Sequence, residues 1–256
     1  MRTNSSNPAL NRSPAFAAPA TGVPDPLEQG YFGPSATSRD TGRMTVEDVV
    51  VRTAILLAVA FATGALTWTL GLEALALPAA LVGLVLGLVI SFKQVTNPAA
   101  ILAYAAVEGV FLGGISALVD SRYPGVVLQA VVGTAAVAGS VLALYGSGKI
   151  RVTPQFQKMV MAATLGFLVL IVVNLAVSFF VPGGLGLRGA GPLGLIVSVV
   201  AIGLAALNLI LDFDMIAKGA ARGLPERYGW FAAFSLLVTL VWLYIELLRL
   251  LGNLRR

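Results

Sequence analysis

Leu193 through Ile216 reads L-G-L-I-V-S-V-V-A-I-G-L-A-A-L-N-L-I-L-D-F-D-M-I, an apolar run that ends on two carboxylates, Asp212 and Asp214. About 20 apolar residues of helix cross the hydrocarbon core, so this run reads as a membrane span. The next and last apolar run, from about Trp230 to Leu251, is interrupted by a third carboxylate, Glu246. A charge at the centre of a membrane helix costs about 2.5–3.5 kcal/mol on insertion scales, so an acid kept there points to function.

The composition agrees with a membrane protein. Of 256 residues, 57% are hydrophobic and 11% are charged, the mean hydropathy is +0.88, and soluble domains carry roughly 25% charge. Lys and Arg (17) outnumber Asp and Glu (12), but no basic stripe interleaved with aromatics is present, which argues against nucleic-acid binding. Cysteine and histidine are absent. That removes disulfides, thiol nucleophiles, Cys or His metal sites, the Ser/His triad and the histidine zinc-protease motif.

Outward from the quoted run, five further apolar runs precede it, at about 49–70, 75–92, 97–119, 126–145 and 159–181. With the two at the C-terminal end this predicts an all-α polytopic fold of about seven transmembrane helices over residues 44–256. Thr45 before Glu47 and Asp48 is a helix-start signal, and Arg52, one turn inside, is expected to snorkel to the headgroups. Asn97-Pro98 and Thr153-Pro154 also mark helix starts. Gly133, Ala135, Ala136 and Gly139 permit close helix contact in the fourth span. Residues 1–43 are rich in Pro, Ser, Ala and Asn with scattered arginines. Such a segment buries too little apolar surface to offset its ordering entropy, and it has no signal-peptide core, so a disordered cytoplasmic tail is expected.

Placing that tail inside a cell membrane puts Lys93, the Lys149/Arg151/Lys158 loop and the Lys218/Arg222/Arg227 loop in the cytoplasm, against Arg122 and Arg188 outside. Arg249, Arg255 and Arg256 oppose this unless the last run is re-entrant; earlier spans usually set orientation, so the earlier charges are given precedence.

L-D-F-D-M-I in the sixth run, L-Y-I-E-L-L-R-L-L in the seventh and Y-A-A-V-E-G-V-F-L-G-G in the third resemble the Bax inhibitor-1/YccA family, also called the transmembrane Bax inhibitor motif family. The tail, with N-P-A-L-N-R, is similar to that of an actinobacterial branch. The resemblance implies a seven-helix fold whose last helix is central and wrapped by the others. It also implies a pH-sensitive calcium leak governed by one acid in each of the last two helices. Asp212, four residues before Ile216, matches the family's sixth-helix Asp, and Glu246, after Leu243-Tyr244-Ile245, stands where the family has Asp. Glu adds a methylene there, Asp214 is extra, and the basic latch after the second helix is reduced to Lys93.

Asp212 and Asp214 lie about 200° apart on a helix and cannot face one partner. Asp212 is assigned to the interior, with Asn208 one turn before it as a hydrogen-bond neighbour, and Asp214 to the cytoplasmic edge; the alternative has both acids capping that edge with Lys218. For Asp212 and Glu246 to lie level, the connecting turn must centre near residue 229, and the break at Gly223–Gly229 reaches that point. Two close carboxylates in low dielectric cannot both be charged cheaply, so they would titrate as a coupled pair. The singly protonated pair would then be a clasp that opens on full ionisation. Asp212 and Glu246 are also the calcium ligands this reading offers, with water or carbonyls completing the usual six to eight oxygens. An i to i+3 pair of Glu246 with Arg249 competes with it. Glu108, mid-span in the third run, lines the same path or hydrogen-bonds to a neighbouring helix.

An enzyme is not expected. The aspartyl intramembrane protease pattern is missing, and the last run has no lysine for a retinal Schiff base. No cofactor is expected beyond a transported calcium ion. The rival readings are a proton-coupled small-solute transporter and a scaffold regulating other membrane proteins. The expected partners are the lipid bilayer, calcium ions and protons, with other membrane proteins for the scaffold.

Overall fold

The computed structural model describes residues 42–150 and 152–255. The expected tail lies outside these up to residue 41, as do Arg151 and Arg256. Seven long helices fill the described part: α1 (Val46–Thr69), α2 (Ala76–Lys93), α3 (Pro98–Asp120), α4 (Val126–Gly146), α5 (Pro154–Ser178), α6 (Pro192–Ala221) and α7 (Tyr228–Leu254). A 3-10 turn, Glu73–Leu75, leads into α2. All seven helices, α2 taken with that turn, are long and apolar enough to cross a membrane. The protein is a multi-pass membrane protein.

The predicted starts hold. Thr45 Oγ1 accepts from the Asp48 N–H at 3.0 Å while Asp48 accepts from the Thr45 N–H at 3.2 Å, a reciprocal cap. Asn97 accepts from the Ala99 N–H at 2.9 Å, and Thr153 caps α5 ahead of Pro154. Outward-facing apolar side chains such as Phe61, Leu77 and Phe92, the last 83% exposed, cover the bundle. That surface suits lipid, which needs no polar coat.

The last helix is central. α7 packs against α1, α3, α4 and α6, whereas α5 packs on α6. The backbones of α1 and α3 approach closely at small residues. A Cβ added at Gly113 would stand 2.7 Å from Gly64 Cα, and one at Gly109 would stand 2.7 Å from Ala60 Cα. The small face expected on the fourth span is not used this way, since a Cβ at Gly139 would meet nothing within 4 Å and one at Gly133 would meet only Leu247.

Ahead of α1 the chain forms a short strap against the α6–α7 loop. The Met44 N–H donates to Leu224 O and the Glu226 N–H donates to Gly42 O, both at 2.8 Å. Arg43 and Pro225 form an antiparallel bridge. Met44 is 3% exposed and seated among core residues. Arg52 does not snorkel outward. It ion-pairs with the Glu226 carboxylate, donates to Glu226 O at 2.5 Å and lies 5.3 Å from the Trp230 ring centroid. A carboxylate, a carbonyl and an aromatic face on the loop offer the guanidinium more than the headgroup region would.

Arg255 at the far end of α7 donates to Pro124 O at 2.8 Å, and Asn253 donates to Gly189 O at 3.2 Å. The C-terminal end therefore lies with the α3–α4 and α5–α6 loops, opposite the strap. α7 is a full crossing, not a re-entrant one.

Candidate functional site

Asp212 is held between α6 and α7 by hydroxyls. Ser235 Oγ donates to Asp212 Oδ1 at 2.8 Å, and Thr239 Oγ1 donates to Asp212 Oδ2 at 2.6 Å. Ser235 and Thr239 are one helical turn apart on α7, so one face of that helix presents both donors to one carboxylate. Asp212 and Ser235 also line a cavity of about 110 Å³ with Met44, Leu224, Tyr228 and Phe231. Met44 of the strap is thus part of the wall of that cavity.

Glu246 sits elsewhere. It ion-pairs with Arg249 on its own helix, and their side chains are 5% and 12% exposed. Arg249 Nε also donates to Ser198 Oγ on α6 at 3.3 Å. Arg188, from the loop before α6, is close enough to act electrostatically on both Glu246 and Arg249. Beyond the ion pair, the terminal nitrogens of Arg249 have no hydrogen-bond partner among the described residues.

The expected pairing of Asp212 with Glu246 is not what the structure shows. Ser235 and Thr239 put Asp212 level with α7 near residue 237, and Glu246 lies about nine residues, or roughly 13 Å, further along that axis. The cause is the turn. α6 runs on to Ala221, Gly223 breaks it at φ 67°, and α7 restarts at Tyr228, so the connection centres near residue 225. Shifting the centre of a helical hairpin by four residues shifts its register by twice that. The two acids are therefore separate sites, and they do not form a shared calcium site here. No group of three or more acidic residues poised for a metal occurs among the described residues.

The remaining predicted residues divide clearly. Asp214 bonds Lys218 at 2.5 Å one turn on, with Lys218 half exposed. Asn208 turns away from Asp212. Its Nδ2 donates to Thr164 Oγ1 on α5 at 2.7 Å and to Leu204 O at 2.8 Å, which satisfies both amide hydrogens. Lys93 is exposed in the last turn of α2, with no ion pair to a described residue, so it latches neither acid. Glu108 is buried and, with Tyr104 one turn before it, lines a cavity separate from that of Asp212. Ser235 and Thr239 were missed because an isolated hydroxyl in an apolar run carries no signal until its partner is known.

A central last helix, wrapped by the first, third, fourth and sixth, with an acid in each of the last two helices, was the arrangement implied for one family. The family model for Bax inhibitor 1 like proteins matches residues 7–256. The chain belongs to that family. Bax inhibitor 1 like membership covers the three motif-bearing runs and all seven helices. No curated protein matches the chain.

Proposed function

We propose that this Bax inhibitor 1 like protein is a pH-sensitive cation leak, with calcium as cargo, whose gate is the Asp212 clasp between α6 and α7. It would sit in a cell membrane with residues 1–41 cytoplasmic, as the basic loops favour. The observation that carries this reading is one intramembrane carboxylate held by two hydroxyls from the central helix, beside a cavity. An ionised carboxylate accepts from both Ser235 and Thr239, whereas a protonated one becomes a donor at one oxygen and must rearrange. Proton binding at Asp212 therefore changes how α6 is tied to α7. Glu246, neutralised by Arg249, is a second constriction near the opposite end rather than the partner of Asp212. No enzymatic role is proposed.

The test is calcium release from liposomes holding the purified full chain, followed from mildly acidic to mildly alkaline pH. Wild type shows pH-dependent flux, and Asp212→Asn shows flux that no longer varies with pH. Ser235→Ala with Thr239→Val raises flux throughout by removing the clasp. An Asp212→Asn profile that tracks wild type would sink the assignment. No calcium flux in any variant would favour the transporter or scaffold readings.

A further inference from the structure

The larger cavity has no part in the Asp212 clasp. It measures about 320 Å³, lies between α2, α3 and α7, and is lined by Gly83, Gly87, Tyr104, Glu108, Phe111 and Phe234 together with aliphatic side chains and Ser91. Ligand pockets begin at roughly this size, about 300 Å³. Its walls have an uncommon chemistry for mid-membrane depth. Tyr104 and Phe234 meet edge to face with ring centroids 4.9 Å apart, Phe111 adds another ring to the lining, and one carboxylate, Glu108, is 8% exposed. Tyr104, one turn before Glu108 on α3, lines the same cavity, and no described Lys or Arg forms an ion pair with Glu108.

The space depends on two glycines one turn apart on α2. A Cβ at Gly83 would come 2.7 Å from Glu108 Oε2, and one at Gly87 would come 3.3 Å from the Tyr104 ring. Any larger residue at Gly83 would press on the carboxylate. Gly83 and Gly87 therefore leave room for both groups beside the cavity.

Aromatic rings offer their negative faces to a cation, and aromatic cages are the recurrent way to hold alkylated ammonium groups. A buried carboxylate without a basic partner adds the opposite charge such a cation requires. Calcium is a poor fit, because it wants six to eight oxygens and the lining supplies Glu108, the Tyr104 hydroxyl and Ser91. We propose that the cavity between α2, α3 and α7 binds a small organic ammonium ion, its cationic group against Glu108 and its hydrocarbon against Tyr104, Phe111 and Phe234.

The experiment is calorimetric titration of the full chain in phosphatidylglycerol nanodiscs, whose lipid carries no ammonium. The probe is benzyltrimethylammonium, and its neutral isostere neopentylbenzene is the competitor. Saturable binding is expected, weakened at least tenfold by Glu108→Gln and lost in Gly83→Leu, which fills the space. Neopentylbenzene at equal concentration should not displace the cation. Equal displacement by the neutral isostere on the wild-type protein would overturn the proposal, and that comparison does not depend on how any variant folds. Unchanged affinity in Glu108→Gln, with wild-type elution and melting, would overturn it as well. Binding is read without flux, so it stands apart from the role of Asp212.

Discussion

Glu246→Gln should lower the stability of the folded protein by about 3–5 kcal/mol, the usual cost of removing one partner from a buried ion pair. Both side chains are almost fully enclosed. The terminal nitrogens of Arg249 have no other described hydrogen-bond partner to turn to. Glutamine keeps the volume, so the loss reports charge and not a cavity. After the change the enclosed Arg249 guanidinium is left without its anion. Replacing both partners, Glu246→Gln with Arg249→Met, should recover most of the loss, because an uncharged pair leaves nothing to desolvate. Equilibrium unfolding in detergent, with tertiary structure followed by near-ultraviolet circular dichroism, measures both. If the single variant unfolds at the wild-type midpoint, the ion pair is not closed off from solvent as its burial indicates.

Gly113→Val should also be damaging, at a site with no titratable chemistry. Overpacking a close-fitting core costs about 1–3 kcal/mol and occasionally more. At Gly113 the obstacle is the backbone of Gly64, 2.7 Å from the first added carbon at Cα, and backbone cannot rotate aside as a side chain can. α1 and α3 must separate along their whole contact. The expected outcome is a sharp loss of folded, detergent-extractable protein, while Gly139→Val, at a position where an added Cβ meets nothing within 4 Å, leaves yield and melting unchanged. Equal behaviour of the two variants would mean that the α1–α3 approach is looser than the structure has it.

Seven helices were legible because lipid imposes a rule that can be read locally: each span must be apolar for about 20 residues and close its own hydrogen bonds. The starts at Thr45, Asn97 and Thr153 were legible for the same reason, since a cap is made with neighbours in sequence. The likeness of L-D-F-D-M-I and L-Y-I-E-L-L-R-L-L to a known family identified the fold and drew attention to Asp212. The register between α6 and α7 was not legible. It depends on where a helix stops, and α6 continues through the Asp214–Lys218 pair to Ala221 before Gly223 ends it. With α6 ending at Ala221 and α7 restarting at Tyr228, the turn centres before residue 229, so Ser235 and Thr239 come level with Asp212 and Glu246 lies beyond them. Arg52 was misjudged for a related reason, because its partners Glu226 and Trp230 lie far along the chain.

That separation has a consequence for how the protein is made. Arg52 and Glu226 are 174 residues apart in sequence, and a ribosome adds about 5–20 residues per second. The first helix therefore enters the bilayer roughly 10–35 s before its counter-charge emerges. Throughout that interval the Arg52 guanidinium must keep company with headgroups or water, and α1 cannot settle into its final place. The α6–α7 hairpin is the one that lets α1 finish folding.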